Sequence, residues 1–497
     1  MRSTGSPLKR LVGRGAAWST LDVIVSRAGN FALGVAIARI VAPKEFGVFA
    51  IALVVHTVVV NISDFGVSAA LIRDDAERVP SGAPTVVTIS LVASVALGGL
   101  VALLSGTLAR SLSSPAAATP IAIMALNLPL AGLTAVPSAI LRREFRMDRI
   151  FVADFANLAV SSVVVIVLAL HGLGALALAW SWVAGQLATT LILLAYRPGR
   201  FWPGWKRAEA RRLLDFGLPI VGSNLLALLV LNVDYIVVGH VLGARALGLY
   251  MLAFNISGWA SNVFGTVIRS VSLPAFSRLR LDGADMPEQF LKALRLVTGV
   301  TVPVCLIIGG LARPAVEAIY GAKWQPAASA LVGLSVLGAG RILIELAGDY
   351  LVALGRTRSV LIALIPWLAA LAATLILVAR PYGIAGVGAG QAVVVLVIVA
   401  PVYAVLLRGT GVGVWATLRA LAPGVAWALA AAVTAHFVAS AVGSAFEAAL
   451  LGSIAGVLVA AIPFGPFLLR KRGALLVRLS RKTAPSSPQP AGSVARS

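Results

Sequence analysis

The chain has 497 residues, of which 59% are hydrophobic and only 12% are charged, and its mean hydropathy is +0.95. Soluble globular proteins are about 45–50% apolar and about 25% charged, so this composition excludes a soluble enzyme, a disulfide-rich domain and a disordered protein. The net charge of +22 is explained by basic cytoplasmic loops of a polytopic membrane protein, not by nucleic acid binding.

Fourteen apolar stretches follow one another along the chain, and a helix needs about 20 such residues to cross a bilayer. They are too long for barrel strands, so the predicted fold class is an all-α polytopic membrane protein. Lys and Arg concentrate in alternate loops, which predicts a multi-pass membrane protein with both termini in the cytoplasm. The predicted spans are 16–40, 47–71, 84–108, 115–141, 151–170, 173–195, 213–238, 246–272, 293–312, 327–353, 359–378, 384–407, 416–438 and 445–469.

Two sequence echoes indicate that two lobes of six helices are parallel repeats, related by an axis along the membrane normal. VAPKEFGVFAIAL (41–53) matches LGARALGLYMLAF (242–254), and HGLGALALA (171–179) matches YGIAGVGAG (382–390). The predicted division is a cytoplasmic N-terminus (1–15), an N-lobe (16–195), a basic cytoplasmic linker (196–212), a C-lobe (213–407), two extra C-terminal helices (416–469) and a basic, disordered cytoplasmic tail (470–497).

Span 8 carries the longest row of polar residues inside any predicted span: Asn255, Trp259, Asn262, Thr266 and Arg269. Their spacing of three or four residues places them on one face of a helix. Such a face either lines a water-accessible cavity or makes interhelical hydrogen bonds. The length of the row favours the cavity.

Polar and charged residues in other spans are further candidates, because a charge at mid-bilayer costs about 2.5–3.5 kcal/mol on insertion scales. Span 1 contains Asp22 and Arg27, span 2 contains Asn61, and span 10 contains Arg341 and Glu345 four residues apart. The span 10 residues either serve transport or neutralise each other as a structural pair. No nucleophile–base pair, metal-ligand spacing or phosphate-binding glycine loop occurs in the sequence, so we do not expect an enzyme.

A family resemblance is carried by two groups of segments. ARIVAPKEFGVFA (38–50), DFGVSAALIR (64–73) and PSAILRREFRMDR (137–149) form the first, and DFGLPIVGSN (215–224), NVDYIVVGHVLGARALGLYMLA (232–253), SLPAFSRLRLD (272–282) and YGAKWQPA (320–327) form the second. They resemble the two halves of the polysaccharide transporter family, bacterial lipid-linked oligosaccharide flippases of the multidrug/oligosaccharidyl-lipid/polysaccharide exporter superfamily. The resemblance implies two six-helix lobes around a central cavity, with alternating access. The two extra helices resemble those of fourteen-span lipid II flippases.

The resemblance also implies a substrate, a polyprenyl-diphosphate-linked oligosaccharide for cell-surface polysaccharide or lipopolysaccharide biosynthesis. Arginine suits the diphosphate, asparagine suits sugar hydroxyls and tryptophan suits a sugar face. The implied substrate-binding residues are Arg27, Asn61, Asn255, Trp259, Asn262, Arg269 and Arg341. The implied ion-coupling residues, for a proton or sodium ion and no other cofactor, are Asp22, Asp234 and Glu345. Membrane lipid and a glycan polymerase or other polysaccharide-assembly proteins are the implied partners.

Three other functions remain open at this point. An ion-coupled exporter of small cationic drugs, from the same superfamily, would use the acidic residues, but the intramembrane arginines argue against it. A membrane glycan polymerase or glycosyltransferase would usually need a large outer loop or a soluble catalytic segment, which the sequence lacks. A transport-inactive scaffold would recruit partners through the basic tail after Leu469.

Overall fold

A computed structural model describes residues 7–63, 65–73, 79–196 and 202–464, which form helices and short connections without any strand. The predicted tail (470–497) lies outside these residues, as do parts of the predicted N-terminus (1–6) and linker (197–201). The helices are α1 Pro7–Ile40, α2 Pro43–Ser63, α3 Val67–Arg73, α4 Val79–Ser111, α5 Ala118–Ala125, α6 Asn127–Arg143, α7 Met147–Leu170, α8 Ala175–Ala195, α9 Arg207–Leu281, α10 Met286–Gly310, α11 Ala312–Tyr320, α12 Ala328–Ala353, α13 Thr357–Val394, α14 Ala400–Arg408, α15 Val414–Ser440 and α16 Ala445–Ala461.

The two longest helices each reverse direction at a glycine. In α9 the backbone leaves the helical region at Gly243 (φ 82°, ψ 174°), and the Tyr235 ring then lies 5.5 Å from Phe254 on the other side of the reversal. In α13 the same happens at Gly383 (φ 59°, ψ −149°). Glycine adopts these positive φ values without steric cost. Residues 207–242 and 244–281 are therefore called the first and second arms of α9.

The described residues contain eleven segments long and apolar enough to cross a membrane, and two of these include the reversals. The all-α polytopic prediction is confirmed. The count of fourteen spans remains a prediction, because α16, which corresponds to the last of them, has only 17 residues. The predicted domain boundaries likewise remain predictions.

The predicted repeat has a structural counterpart where α2 crosses α9. A Cβ atom on Gly47 would overlap the carbonyl oxygen of Ala244, and one on Gly248 would overlap the carbonyl oxygen of Pro43. Pro43 aligns with Ala244 and Gly47 with Gly248 in the first sequence echo. The contact is thus reciprocal, as a pseudo-two-fold axis between parallel repeats requires. Glycine is needed at both crossing points because the two backbones touch.

A second inter-half contact fastens the end of α1 to the segment after α11. Arg39 donates hydrogen bonds of 2.8 and 3.0 Å to two carbonyls in the last turn of α11. In return, Lys323 donates to the carbonyls of Arg39 and Val41, at 2.9 and 3.0 Å. The Trp324 indole is fully buried and donates to the Ala38 carbonyl at 2.7 Å. The last carbonyls of a helix lack intrahelical donors, so each half caps a helix end of the other. We call Arg39, Lys323 and Trp324 the latch.

Candidate functional site

The second arm of α9 has one face bound to α12 and another face exposed. Ser257 and Ser261 donate to main-chain carbonyls of α12, the latter at 3.2 Å, and Ser272 donates to Asp349. These small hydroxyl residues permit close packing and supply the interhelical hydrogen bonds expected within a bilayer. The α12 contact therefore fixes which side of the arm remains open.

The polar stripe predicted for span 8 lies on the open side of this arm. Asn255, Asn262, Thr266 and Arg269 are exposed, and Trp259 is half-buried. Within the described part of the chain neither asparagine side chain bonds to another helix, and the Thr266 hydroxyl donates to its own helix at 2.7 Å. Asn255, Asn262 and Thr266 are thus not used as interhelical glue among the described residues, whereas Arg269 at the end of the stripe bonds to Glu345 of α12.

The stripe is touched from the other half of the chain by α1. Phe31 of α1 meets Trp259 edge-on, with ring centroids 4.0 Å apart and planes at 84°. Arg27 lies one turn before Phe31 and is exposed, and it has no ion-pair or hydrogen-bond partner among the residues described. Asp22 lies further along the same helix and accepts a hydrogen bond from Ser26 at 3.3 Å. An unpaired guanidinium thus lies beside the contact between the two halves.

Asp234 is the centre of a buried hydrogen-bond network. It is only 2% exposed and accepts hydrogen bonds from the Tyr250 hydroxyl (2.8 Å), the Gln391 amide (2.8 Å) and the Tyr235 main-chain N–H (2.9 Å). The Gln391 amide also donates to the Tyr250 oxygen. Arg341 interacts electrostatically with this carboxylate. A buried carboxylate requires such donors and a nearby cation, and helices α9, α12 and α13 supply them together.

Glu345 pairs with Arg269 rather than with Arg341. The Glu345 carboxylate lies 3.4 Å from the Arg269 guanidinium, and the Arg269 side chain is 63% exposed. Arg341 and Glu345 interact electrostatically but make no direct ion pair among the described residues, so both alternatives left open for them, a transport role and a structural pair, remain predictions. Arg341 instead lies over the Phe254 ring, 5.6 Å from its centroid. The second carboxylate oxygen of Glu345 is buried and has no partner among the described residues.

The candidate residues named from the sequence thus fall into three places. Asp234, Arg341, Glu345 and Arg269 form a connected set in the second half of the chain. Asp22 and Arg27 lie on α1, and the stripe lies on the second arm of α9. Asn61 joins none of these groups, because its amide donates to the Thr57 carbonyl of its own helix at 2.8 Å.

Sequence reasoning missed two members of the Asp234 network, Tyr250 and Gln391. Both left a signal in the sequence. Tyr250 aligns with Phe49 in the first echo, so the second half gains one hydroxyl at an otherwise aromatic position. Gln391 is the one polar residue in the apolar run AGQAVVVLVIVA (389–400), and a lone amide in a membrane helix needs a hydrogen-bond partner.

Comparison with models of known protein families identifies the family of this chain. A family model described as "Polysaccharide biosynthesis protein" matches residues 36–329, more than half of the chain. The chain belongs to this family. The matched region includes the latch, the stripe and Asp234. Arg27, Arg341 and Gln391 lie outside the matched region.

The names of two relatives agree with the family match. The chain is 28% identical over 346 residues to the succinoglycan biosynthesis transport protein ExoT of Rhizobium meliloti (strain 1021), with 67% of each chain covered. It is 23% identical to the lipopolysaccharide biosynthesis protein WzxC of Escherichia coli (strain K12), with 69% of this chain and 70% of that protein covered.

Among solved structures, the chain is similar to the lipid II flippase MurJ in an inward closed conformation. The TM-score is 0.73 at 14% identity, with 90% of this chain and 99% of that chain covered. A multidrug resistance MATE family transporter of the MOP superfamily, in an inward-facing conformation, gives a TM-score of 0.61 at 17% identity, with 82% of this chain and 98% of that chain covered. The predicted family resemblance is confirmed: the chain is a multi-pass member of the polysaccharide biosynthesis protein family, and it shares the fold of these two solved structures.

Proposed function

We propose that the protein moves a polyprenyl-diphosphate-linked oligosaccharide from the cytoplasmic to the outer leaflet of the bacterial plasma membrane by alternating access. The names of ExoT and WzxC support a bacterial polysaccharide precursor as the cargo. The observation that carries the proposal is the exposed polar stripe of α9, which meets α1 beside the unpaired Arg27.

The chemistry of these side chains matches the two parts of such a substrate. The diphosphate carries negative charge, and arginine stays charged and offers several N–H donors to phosphate oxygens. In this proposal Arg27 and Arg269 bind the diphosphate in turn. Asn255 and Asn262 offer exposed amides to sugar hydroxyls, and Trp259 offers a ring face. Asn61 donates one N–H to the Thr57 carbonyl and keeps its amide oxygen for a sugar hydroxyl.

Alternating access requires that inter-half contacts at one end of the bundle break. The basic loops predict that the latch end faces the outside of the cell. In the proposed cycle the present structure is closed on the outside by the latch and by the α2–α9 crossing. Release of the glycan to the outer leaflet then needs the latch to open, with the stripe exposed to that side.

A coupling proton fits the Asp234 network better than a sodium ion does. The Asp234 oxygens already accept three hydrogen bonds, whereas a sodium ion needs free oxygen lone pairs. Protonation of Asp234 would instead remove the negative charge that faces Arg341. In the proposed cycle this frees Arg341 for the substrate, while Glu345 and Asp22 are secondary proton sites. A glycan polymerase that receives the flipped product remains the proposed partner.

Flipping by the purified protein in proteoliposomes tests the proposal. A fluorescent polyprenyl-diphosphate oligosaccharide is loaded, and a membrane-impermeant quencher scores its arrival in the opposite leaflet. We expect Arg27→Gln to lose most of the activity and Arg295→Gln, an exposed arginine on α10, to retain it. Equal flipping by both variants would refute the role of Arg27. Proton-driven transport of a small organic cation without any glycan flipping would favour the multidrug exporter.

A further inference from the structure

A second candidate site lies beside α11, at the latch end of the bundle. It is a cleft of about 1040 Å³ between the α10–α11 turn, the start of α12 and the α15–α16 turn. Small residues make the space, including Gly309, Gly310, Ala312, Ala439 and Ala445. This volume is at the upper end of the range for small-molecule sites, and neither the stripe nor the Asp234 network contributes to its lining.

The cleft lies at the level where membrane helices end. Helices α10 and α15, both of membrane-spanning length, end at Gly310 and Ser440, and α12 and α16 begin at its rim. Exposed apolar side chains lie at its rim: Val332 lines it and is 53% exposed, and Phe437 and Phe446, each next in sequence to a lining residue, are 67% and 69% exposed. Exposed aromatic and aliphatic side chains at this depth contact lipid. The cleft therefore opens toward the bilayer at the membrane–water boundary.

The polar floor of the cleft contains one separated pair of opposite charges. Arg313 and Glu317 are spaced i, i+4 on α11, which usually favours an ion pair. Here Glu317 accepts a hydrogen bond from the Gln325 amide at 3.0 Å instead. Arg313 is exposed and has no ion-pair or hydrogen-bond partner within the described chain. The guanidinium is thus free for an anion, with a carboxylate one helical turn away.

His436 completes the floor and is held in one orientation. Its Nδ1 lies 3.1 Å from the Gly310 carbonyl oxygen. Because a carbonyl can only accept, Nδ1 carries the hydrogen in this contact, and Nε2 is left for a ligand. Ser329, Ser440 and Ser444 add hydroxyl groups to the same lining. The site thus combines one free cation, one anion, hydroxyls and an apolar rim.

We propose that this cleft binds the head group of a zwitterionic phospholipid that carries a primary amine, of the phosphatidylethanolamine class. The phosphate is bound by Arg313, since guanidinium and phosphate form charge-assisted hydrogen bonds. The ammonium group donates to Glu317 and the hydroxyls, which a quaternary amine cannot do. The acyl chains leave past Val332 and Phe446 into the bilayer. The bound lipid joins α11, which carries the latch partner of Arg39, to the two C-terminal helices α15 and α16.

Lipid retention by the full chain, measured by native mass spectrometry, tests this site independently of the transported substrate. The protein is purified in detergent and titrated with phosphatidylethanolamine, phosphatidylcholine or phosphatidylglycerol. We expect one phosphatidylethanolamine molecule to be retained in preference to the other two lipids. Arg313→Gln should weaken its retention about tenfold, the effect of one charge-assisted hydrogen bond, and Arg295→Gln should not.

Glu317→Gln provides the second arm, because it keeps an oxygen acceptor for Gln325 and removes only the charge. We expect it to abolish the preference for the primary amine and to leave retention of phosphatidylglycerol unchanged. Equal retention of phosphatidylethanolamine by wild type and Arg313→Gln would overturn the proposal. A preference for phosphatidylglycerol in the wild type, or displacement of the bound lipid by a polyprenyl diphosphate, would also overturn it.

Discussion

In the proposed cycle the latch holds the outer end of the bundle closed, and this makes a quantitative prediction about the equilibrium between the closed and open states. Trp324→Phe removes the one indole donor and leaves the Ala38 carbonyl at the end of α1 without it. The ring position is fully buried, so water does not replace the donor at once. An unsatisfied buried acceptor costs about 1–3 kcal/mol, and this cost falls only on the closed state. Because about 1.4 kcal/mol is a factor of ten, the open-to-closed ratio should rise about 5- to 150-fold.

Distance measurements between two spin labels on either side of the latch would detect this change. The native cysteine, Cys305, is the only one in the chain and is first replaced by serine. Labels are then attached at Lys44 and Ala322, both exposed. We expect the wild type to give a short distance and Trp324→Phe to add a longer one.

A matched control for this experiment is Trp202→Phe, at a tryptophan that is 78% exposed in the linker. This control should leave the distance distribution unchanged. Identical distributions for wild type and Trp324→Phe, with both proteins monodisperse, would refute the reasoning that the latch holds the outer end closed. A longer distance in the Trp202→Phe control would show that the effect is not specific to the latch.

Two further predictions concern the packing of the halves and the buried network. Gly47→Ala places a methyl group on a main-chain oxygen of α9 and should abolish a stable fold, whereas Gly34→Ala has open space around it and should not. The yield of monodisperse protein and its thermal denaturation midpoint measure the difference. Equal values for the two variants would contradict the close crossing. Tyr250→Phe removes one hydrogen-bond donor from Asp234 and should lower the free energy of unfolding by about 1–3 kcal/mol, whereas Tyr382→Phe, at an exposed tyrosine, should have no effect. Chemical denaturation in micelles measures both variants. An unchanged free energy of unfolding for Tyr250→Phe would show that the Asp234 carboxylate does not need this bond.

The sequence was sufficient for the fold class, which follows from the length of the apolar runs, and for the face of the α9 stripe, which follows from helical periodicity. Helix period alone places Asn255, Asn262 and Arg269 on one side, and the hydroxyl residues on the opposite side identify the packed face. The ion-pair partners of the charged residues, in contrast, could not be predicted from the sequence. Arg341 and Glu345 are neighbours on one helix, but Arg269 from another helix is the direct partner of Glu345, and no spacing rule contains that tertiary information.

The latch and the cleft beside α11 also could not be predicted from the sequence, because both depend on tertiary contacts. YGAKWQPA (320–327) was noticed only as part of a family resemblance. Its Lys and Trp bind main-chain carbonyls about 280 residues away, and a carbonyl acceptor leaves no mark in the sequence. The cleft depends on Arg313 not pairing with Glu317, although their i, i+4 spacing favours the opposite.

The repeat explains where the two halves differ, and this difference bears on the mechanism. At the positions equivalent to Asp234 and Tyr250 the first half has Leu33 and Phe49, which pack in the hydrophobic core. The crossing at Gly47 and Gly248 is symmetric, but among the described residues the hydrogen-bond network of Asp234 lies in the second half alone. Two equivalent halves can pack against each other at this crossing in two similar arrangements. Charge placed in only one half makes those packings respond unequally to a proton or to an anionic substrate. An alternating transporter needs this inequality, because a ligand shifts an equilibrium only by its differential affinity for the two states.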